Sequence, residues 1–589
     1  MPDIVITGYG IVSAIGNDAQ SVLDSLRAKR TGIGKMQYLT STHKELPVGE
    51  VKLSNQEMKD MLGVPQDRVL SRTTLLGAIA ARQALEHSGL QLTESTRRVA
   101  FLSGTTVGGM DITERYFEQM QRDDQALPLF AQHDSGASTI ESARLAGLHD
   151  AQITTISTAC SSALNAIILA SEMLKNDEAD VVIAGGAEAL SLFHLNGFNT
   201  LMILDKEQCR PFDATRAGLN LGEGAAYLVL EREQDAQERG ADIHAYVSGY
   251  ANACDAYHQT ASSDDGQGAY LSMSAAIARA GLSPKDIQYI NAHGTGTPNN
   301  DASESQALRR IFGEDIPPVS STKSYTGHTT SASGSIETVI SLLAMEHNFI
   351  PASLAWHTQA DDVITPTQGV EGVTLDHVLC NSFGFGGNDS SLIISAHASH
   401  TEESQRTDIQ SIVAAESIID DPEQLKQSRK WISPMESRRM GKLLKSAIIT
   451  SLEALEQAGI QSPDAIVTAT RYGMLDVSVR FLNDMNQNGE EQLSPTLFMQ
   501  STHNTISSAI AIRTHCHGYN ITYSHGTQSM EWALRDARRL IQTGQAKTVL
   551  VGLHDQGTPE VCDMLRRMKA EPLPELYSHV IVLKADDSQ

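Results

Sequence analysis

Three stretches of this chain share one plan, an Ala/Leu-rich helix ending at glycine, a polar connection and an apolar strand, and that repetition limits the folds open to it. They are AARQALEHSGLQLTESTRRVAFLSGT from Ala80, MSAAIARAGLSPKDIQYINAHGT from Met273 and ITSLEALEQAGIQSPDAIVTATRYG from Ile449. In each, a glycine (Gly89, Gly281, Gly459) falls where a left-handed C-cap would stop the helix. Strand and helix alternating in this way imply parallel sheets covered by helices on both faces. Copies one and three continue alike, through GMDITERYFEQM (109–120) and GMLDVSVRFLNDM (473–485), then LPLFAQ (127–132) and SPTLFMQ (494–500). Next come ITTISTACSSALNAI (153–167) and NITYSHGTQSMEWAL (520–534), in which Cys160 in TACS faces Gln528 in GTQS.

The chain thus reads as three α/β half-units, the third copying the first and not the second. Half one spans 1–250, half two 251–398 and half three 409–589. The polar stretch at 399–408 has almost no apolar residue with which to pack and reads as a linker. A net charge of −26 argues against nucleic acid or an anionic membrane as the main partner, because phosphate binding needs a basic face. Six scattered cysteines without CxxC spacing indicate neither a disulfide framework nor a metal site. No leader pattern and no apolar run long enough for a membrane span are evident, so the expectation is a soluble, cytoplasmic protein.

Cys160 follows an apolar strand and precedes SSALNAIILASEML, a buried-helix pattern. A cysteine at that junction meets the positive end of the helix, which favours thiolate. A lone cysteine is more often structural, but the small residues of TACSSA leave room for a substrate. His293 and His328 stand in Gly/Ser/Thr loops beyond strand ends, where open α/β sheets place their sites. Lys323 and Glu304 are close enough in sequence to these histidines to pair and fix that wall; a surface ion pair is the plainer alternative. The loop NSFGFGGNDSS, with Gly384, Gly386 and Gly387, lacks the Lys-Ser/Thr of a phosphate cradle and suits a mobile gate; GTGTP lacks it too. An NTPase or dinucleotide enzyme is therefore excluded, and no cofactor or metal is expected.

With these residues in hand, positions 1 to about 396 resemble the elongating β-ketoacyl-acyl carrier protein synthases. The motifs VITGYGIVSAIGN, TACSSALNAI, GGAEA, RPFDATRAGLNLGEGAAYLVLE, NAHGTGTPNNDASE, SSTKSYTGH and NSFGFGG occur in the family's order. The resemblance implies a thiolase fold, two similar α/β halves in five layers, here with a third, half-thiolase domain. It implies Cys160 as acyl acceptor, His293 and His328 as the decarboxylation pair, and Lys323 and Glu304 as their structural partners. It further implies an oxyanion hole from the Cys160 and Phe385 amides, Phe385 as gate, Val107 limiting the acyl pocket, and Thr295 and Thr297 on the pantetheine arm. The implied partners are acyl and malonyl carrier proteins, whose phosphopantetheine belongs to the substrate, with a ketoreductase and dehydratase in the pathway. TTSASG (329–334) and GGND (386–389) depart from the family pattern, so substrate preference does not carry over.

Half three resembles a chain length factor, a partial ketosynthase-like domain with Gln528 at the nucleophile position and no HGTGT or TGH loop. Such a half would replace a second subunit, wall the acyl tunnel with SPTLFMQSTHNTISSA (494–509) and help set product length. Pairing within one chain or between two chains stays open at this point. Arg438, Arg439, Lys442, Arg535, Arg538 and Arg539 supply positive charge for an acidic carrier protein, or else are solvated helix faces. The expected reaction is decarboxylative Claisen condensation, in polyene or aryl polyene type II polyketide synthesis. Fatty-acid elongation and a non-condensing assembly role are the alternatives.

Overall fold

Every strand-to-helix repeat read from the sequence becomes part of one large sheet. The computed structural model describes residues 2–91, 97–398 and 409–586, so the expected linker at 399–408 lies outside the described residues. Half one contributes β1 (Ile4–Ser13), β2 (Val99–Gly104), β3 (Gln152–Ile156), β4 (Val181–Glu188) and β5 (Gly224–Arg232). Half two contributes β6 (Ala245–Cys254), β7 (Tyr289–Asn291), β8 (Val319–Ser320), the small pair β9 (Phe349–Ile350) and β10 (Val370–Glu371), then β11 (His377–Gly384) and β12 (Asn388–Ser395). Half three contributes β13 (Ser411–Ile419), β14 (Ala465–Ala469), β15 (Tyr519–Tyr523), β16 (Thr548–Asp555) and β17 (Tyr577–Ala585). The boundary expected at 250/251 cuts through β6; half two begins before that strand, which starts at Ala245.

Among the described residues the sheet order is β13-β17-β16-β14-β15-β3-β2-β4-β5-β1-β6-β12-β11-β7-β8. Each half repeats the same internal order. The expectation of parallel sheets holds for β2, β3 and β4, joined by helical crossovers, whereas β5 and β1 run antiparallel. The long connection after β4 leaves the chain at the same end of the sheet, with Glu188 opposite Gly224, so β5 runs back antiparallel to β4.

Local chemistry sets the helix limits. Helix Arg72–Ser88 starts where Ser71 accepts from the Thr74 amide and stops at Gly89, φ +62°. Its copy Lys442–Ala458 stops at Gly459, φ +69°. Arg72–Ser88 covers the outer face of half one and Gln267–Arg279 that of half two, while Ser162–Lys175 and Ser333–Glu346 lie between the half-one and half-two parts of the sheet, which fold over them. These are the five layers of a thiolase-like fold. The central helix SALNAIILASEMLK is buried almost throughout because half two covers it. Its copy SMEWALRDARRLIQ has no such cover and carries exposed Glu531 and Arg538.

The seam between halves one and three closes within the chain. Ile156 of β3 bridges Tyr523 of β15, flanked by Ser157 N donating to Thr522 O (2.9 Å) and Ser524 N to Thr155 O (3.0 Å). Arg539, 4% exposed, pairs with Asp536 and with Glu178 of half one (3.1 Å), and Arg535 joins Glu178 at 2.6 Å. Arg535 and Arg539 are therefore seam residues and not a free docking patch, whereas Arg438, Arg439, Lys442 and Arg538 are exposed. No helix among the described residues is long and apolar enough to cross a membrane.

Candidate active site

The nucleophile position is built by a strained turn. After β3 the chain makes a short 3-10 turn, Ala159–Ser161, before helix Ser162–Lys175, and Ala159 sits at φ +52°. A non-glycine residue is costly there. Thr158 N donating to Ser162 Oγ (2.9 Å) and Ser162 Oγ donating to Ala159 O (2.6 Å) hold the turn. Cys160, 5% exposed, ends with Sγ 3.1 Å from His328 Nε2. On the far side of the ring, His328 Nδ1 lies 3.0 Å from Ser333 Oγ. In the Nδ1–H tautomer His328 donates to Ser333 and offers its Nε2 lone pair to the thiol.

His293 meets His328 edge to face, with ring centroids 5.3 Å apart at 82°. Its loop is fixed by Glu304, whose carboxylate accepts from the amides of His293 (2.9 Å) and Gly294 (2.8 Å) and from Asn381 Nδ2 (3.1 Å). The expected Lys323–Glu304 pair does not form. Lys323 instead donates to Glu337 Oε1 at 2.5 Å, both side chains being at most 3% exposed. Glu304 is occupied by loop amides, and helix Ser333–Glu346 presents Glu337 directly to the ammonium. A lone Glu inside the apolar run SIETVISLLAM was the signal that could have marked it.

Electrostatics bear on a second expectation. Burial pushes the Cys160 thiol up to about 12, although Lys323 and the Phe385 amide oppose the shift. Burial thus works against the helix end, which favours thiolate. Burial, then Lys323, hold both His293 and His328 well below the usual imidazole range, so both rings are neutral. Burial raises Glu304 and Glu337 to about 7 each. A protonated thiol beside two neutral imidazoles is an arrangement that moves a proton between sulfur and nitrogen and offers N–H donors to a developing oxyanion.

Two spaces meet at the sulfur. A cavity of about 370 Å³ is lined by Cys160, His293, His328, Thr295, Thr297 and Phe385, together with Gly384 and Gly387. Behind it, a space of about 20 Å³ is bounded by Val107, His194 and Phe198, and by Phe498, Ser501 and Thr502 of half three. Phe385 borders both, stacked on Phe198 with centroids 5.6 Å apart. Phe498 lines this space, its ring lying over Gly197, where a Cβ would come within 2.0 Å of it.

The two departures from the family pattern have local partners. In TTSASG, Ser331 donates to Glu188 (2.6 Å) and Ser333 serves His328. In GGND, Asn388 Oδ1 accepts from Ser161 (2.8 Å), Asn165 (2.9 Å) and Asn252 (2.8 Å), and its amide donates to Asn520 O (2.5 Å). One buried side chain thereby ties the nucleophile helix to halves two and three.

Gln528 is not the counterpart of Cys160. A constant offset lays β3 on β15, Ala159–Ser161 on Gly526–Gln528, Ser162–Lys175 on Ser529–Gln542, and β4 on β16. Ala159 (φ +52°) matches Gly526 (φ +56°), Cys160 matches Thr527, and Gln528 falls opposite Ser161. Matching TACS to GTQS slips by one residue, because the helix start and not residue likeness fixes the frame. Thr527 and Gln528 are exposed, half three having no second half to cover them.

Fold and site together define a condensing enzyme of thiolase-like architecture, with cysteine and two histidines converging from two halves. Residues 1–236 match the family model for the β-ketoacyl synthase N-terminal domain, 244–357 that for its C-terminal domain, and 413–583 a second model of the N-terminal domain. The chain belongs to the β-ketoacyl synthase family, and it carries a second ketosynthase-like N-terminal domain after the first. It is 33% identical over 410 residues to 3-oxoacyl-[acyl-carrier-protein] synthase 2 of Staphylococcus aureus (strain COL), covering 66% of this chain and 97% of that protein. The Vibrio cholerae synthase of the same description is 33% identical over 408 residues, covering 66% and 98%. Among solved structures, the ishigamide ketosynthase/chain length factor is 30% identical with TM-score 0.63, covering 67% of this chain and all of that one (100%). The PfaC keto synthase-chain length factor shares the fold over 100% of this chain and 79% of that one, at TM-score 0.81 and 18% identity.

Proposed function

We propose that the protein joins an acyl group held on Cys160 to malonyl-acyl carrier protein by decarboxylative Claisen condensation, with half three closing the acyl space and setting product length. The observation that carries this reading is Cys160 Sγ 3.1 Å from His328 Nε2, with His293 alongside and Phe498 of half three lining the space behind the sulfur. In the first half-reaction the thiol attacks the acyl thioester, His328 takes its proton, and that proton leaves with the carrier's pantetheine thiol. Ser333 Oγ can donate as well as accept, so His328 can present Nε2–H in the second half-reaction. Malonyl then loses CO2, and the enolate oxygen accepts hydrogen bonds from His293 and His328. The enolate carbon attacks the Cys160 thioester, the new β-ketoacyl chain stays on the carrier, and the departing Cys160 thiolate takes one proton from solvent.

In this reading the Cys160 and Phe385 amides form the oxyanion hole, Thr295 and Thr297 face the pantetheine arm, and Lys323 and Glu304 hold the histidine loops. Likeness to structures described as a ketosynthase/chain length factor and a type II PKS ketosynthase supports polyketide synthesis, with polyene-type products as our reading and fatty-acid elongation as the alternative. A ketoreductase and a dehydratase would process each β-ketoacyl product. The test supplies an acyl carrier-protein thioester and malonyl carrier protein and reads intact carrier masses. A two-carbon extension by the wild type, lost in Cys160→Ala, is expected. No extension by wild type with carrier binding intact would leave only an assembly role.

A further inference from the structure

The gate loop of halves one and two is held by half three. The carbonyl of Phe385 accepts from Asn504 Nδ2 (2.8 Å), and the N–H of the same peptide, on Gly386, donates to Gln259 O (2.7 Å). The next carbonyl, Gly386 O, accepts from Ser508 Oγ (2.9 Å). Gly386 has φ +90°, and a Cβ there would lie 2.9 Å from Ser508 Cβ, so the loop runs flush against helix Thr505–Thr514.

Asn504 is placed for a different task and does not perform it. It stands at the N-cap of Thr505–Thr514, where an asparagine side chain ordinarily accepts from an amide of its own first turn. It makes no such bond. Asp134, its counterpart at the start of helix Ser135–Leu145 in half one, does cap its own helix, accepting from Gly136 N at 2.8 Å. Asn504 is 1% exposed, and its Oδ1 has no hydrogen-bond partner among the described residues. A side chain that gives up its cap and leaves a polar atom unpaired, in order to reach a carbonyl across the seam, marks that contact as the one the fold retains.

We propose that Asn504, backed by Ser508, is a latch through which half three holds the Phe385 loop closed, making Asn504 a positioning residue for condensation. The proposal rests on the functional reading above. The Phe385 ring separates the main cavity from the space that Phe498 lines. An acyl chain of any length must displace it, which shifts the loop and breaks both latch bonds. The Phe385 amide lies against the Cys160 sulfur only while the loop is closed. Loading therefore favours the open latch and carbon–carbon bond formation the closed one.

The experiment uses the full chain with Asn504→Ala, Ser508→Ala and Ser508→Thr. One arm follows Cys160 acylation by a medium-chain acyl carrier thioester; a second follows single-turnover condensation of preformed acyl-enzyme with malonyl carrier protein. Asn504→Ala should speed acylation and slow condensation, each by about fivefold, the scale of one lost hydrogen bond. Ser508→Ala should do the same less strongly, while Ser508→Thr, which keeps the hydroxyl, should behave as wild type. A fall in both half-reactions, or no change in either, at unaltered thermal stability overturns the latch. Hydrogen exchange at the amides of residues 384–387 needs no substrate and should rise in Asn504→Ala. Unchanged exchange overturns the latch whether or not the wild type condenses anything, whereas raised exchange without condensation would fault the functional reading alone.

Discussion

Phe498→Ala should lengthen the product. The ring is 3% exposed and packs against Phe198, Phe193 and Phe481 at centroid distances of 5.2, 6.0 and 6.1 Å. Removing such a ring costs about 3–5 kcal/mol of stability, of which an unfilled cavity of roughly 100 Å³ accounts for about 2.4 kcal/mol at about 24 cal/mol per Å³. An acyl chain that reaches the cavity recovers about 0.8 kcal/mol per buried methylene, so one added two-carbon unit is favoured by about 1.6 kcal/mol, or roughly 15-fold. The assay is competitive acylation of Cys160 by an equimolar ladder of acyl carrier thioesters, read by intact mass, followed by product lengths under turnover. Gly197→Ala gives a second perturbation of the same wall, since its Cβ would clash with the ring and displace it. An unchanged length profile in a cooperatively folded Phe498→Ala, with Gly197→Ala also unchanged, would refute half three as the end wall.

Two further outcomes follow from the register and from buried charge. Thr527→Ala and Gln528→Ala should leave turnover and product length within about twofold, as for exposed residues remote from a site; a length shift in the same mass assay would mean that Gln528 acts on the acyl space. His554, fully buried in half three with Nδ1 2.8 Å from Ser578 Oγ, is depressed to about 3 by burial and then by His579. Its folded value lies below its unfolded one, so its contribution is complete above about pH 6.5 and is lost as pH falls from there toward 3. The stability gap between wild type and His554→Asn should thus narrow by about 1.4 kcal/mol per pH unit below 6.5, measured by denaturant unfolding at matched pH. A constant gap would mean that His554 titrates normally.

What the sequence disclosed and what it hid divide along physical lines. Cys160, His293 and His328 were legible because each sits in a turn whose small residues and strand-end position are local properties. The three-half architecture was legible because helix stops such as Gly89 and Gly459 are also local. Lys323 was paired with Glu304 because each stands near one of the two histidines in sequence, whereas the fold gives the ammonium Glu337 on helix Ser333–Glu346. Gln528 was misplaced because residue likeness overrode the frame set by the helix start at Ser529. Asn504 gave no signal, as its partner is a carbonyl of a loop distant in sequence. The charge of Arg535 and Arg539 was visible, but not that the seam consumes it.

The strand order of half three has a consequence for synthesis of the protein. β13, the first strand of half three, pairs among the described residues only with β17, and β17 lies between β13 and the rest of that half. Half three can pair β14, β15 and β16 earlier but cannot complete its sheet until residues 577–585 have left the ribosome, although halves one and two are complete long before. Domains fold as units in the order they emerge, so on the proposed function and latch the nascent chain would hold a formed Cys–His–His triangle beside an unsealed channel and an unlatched gate, and length-controlled condensation would begin only after β17 is made.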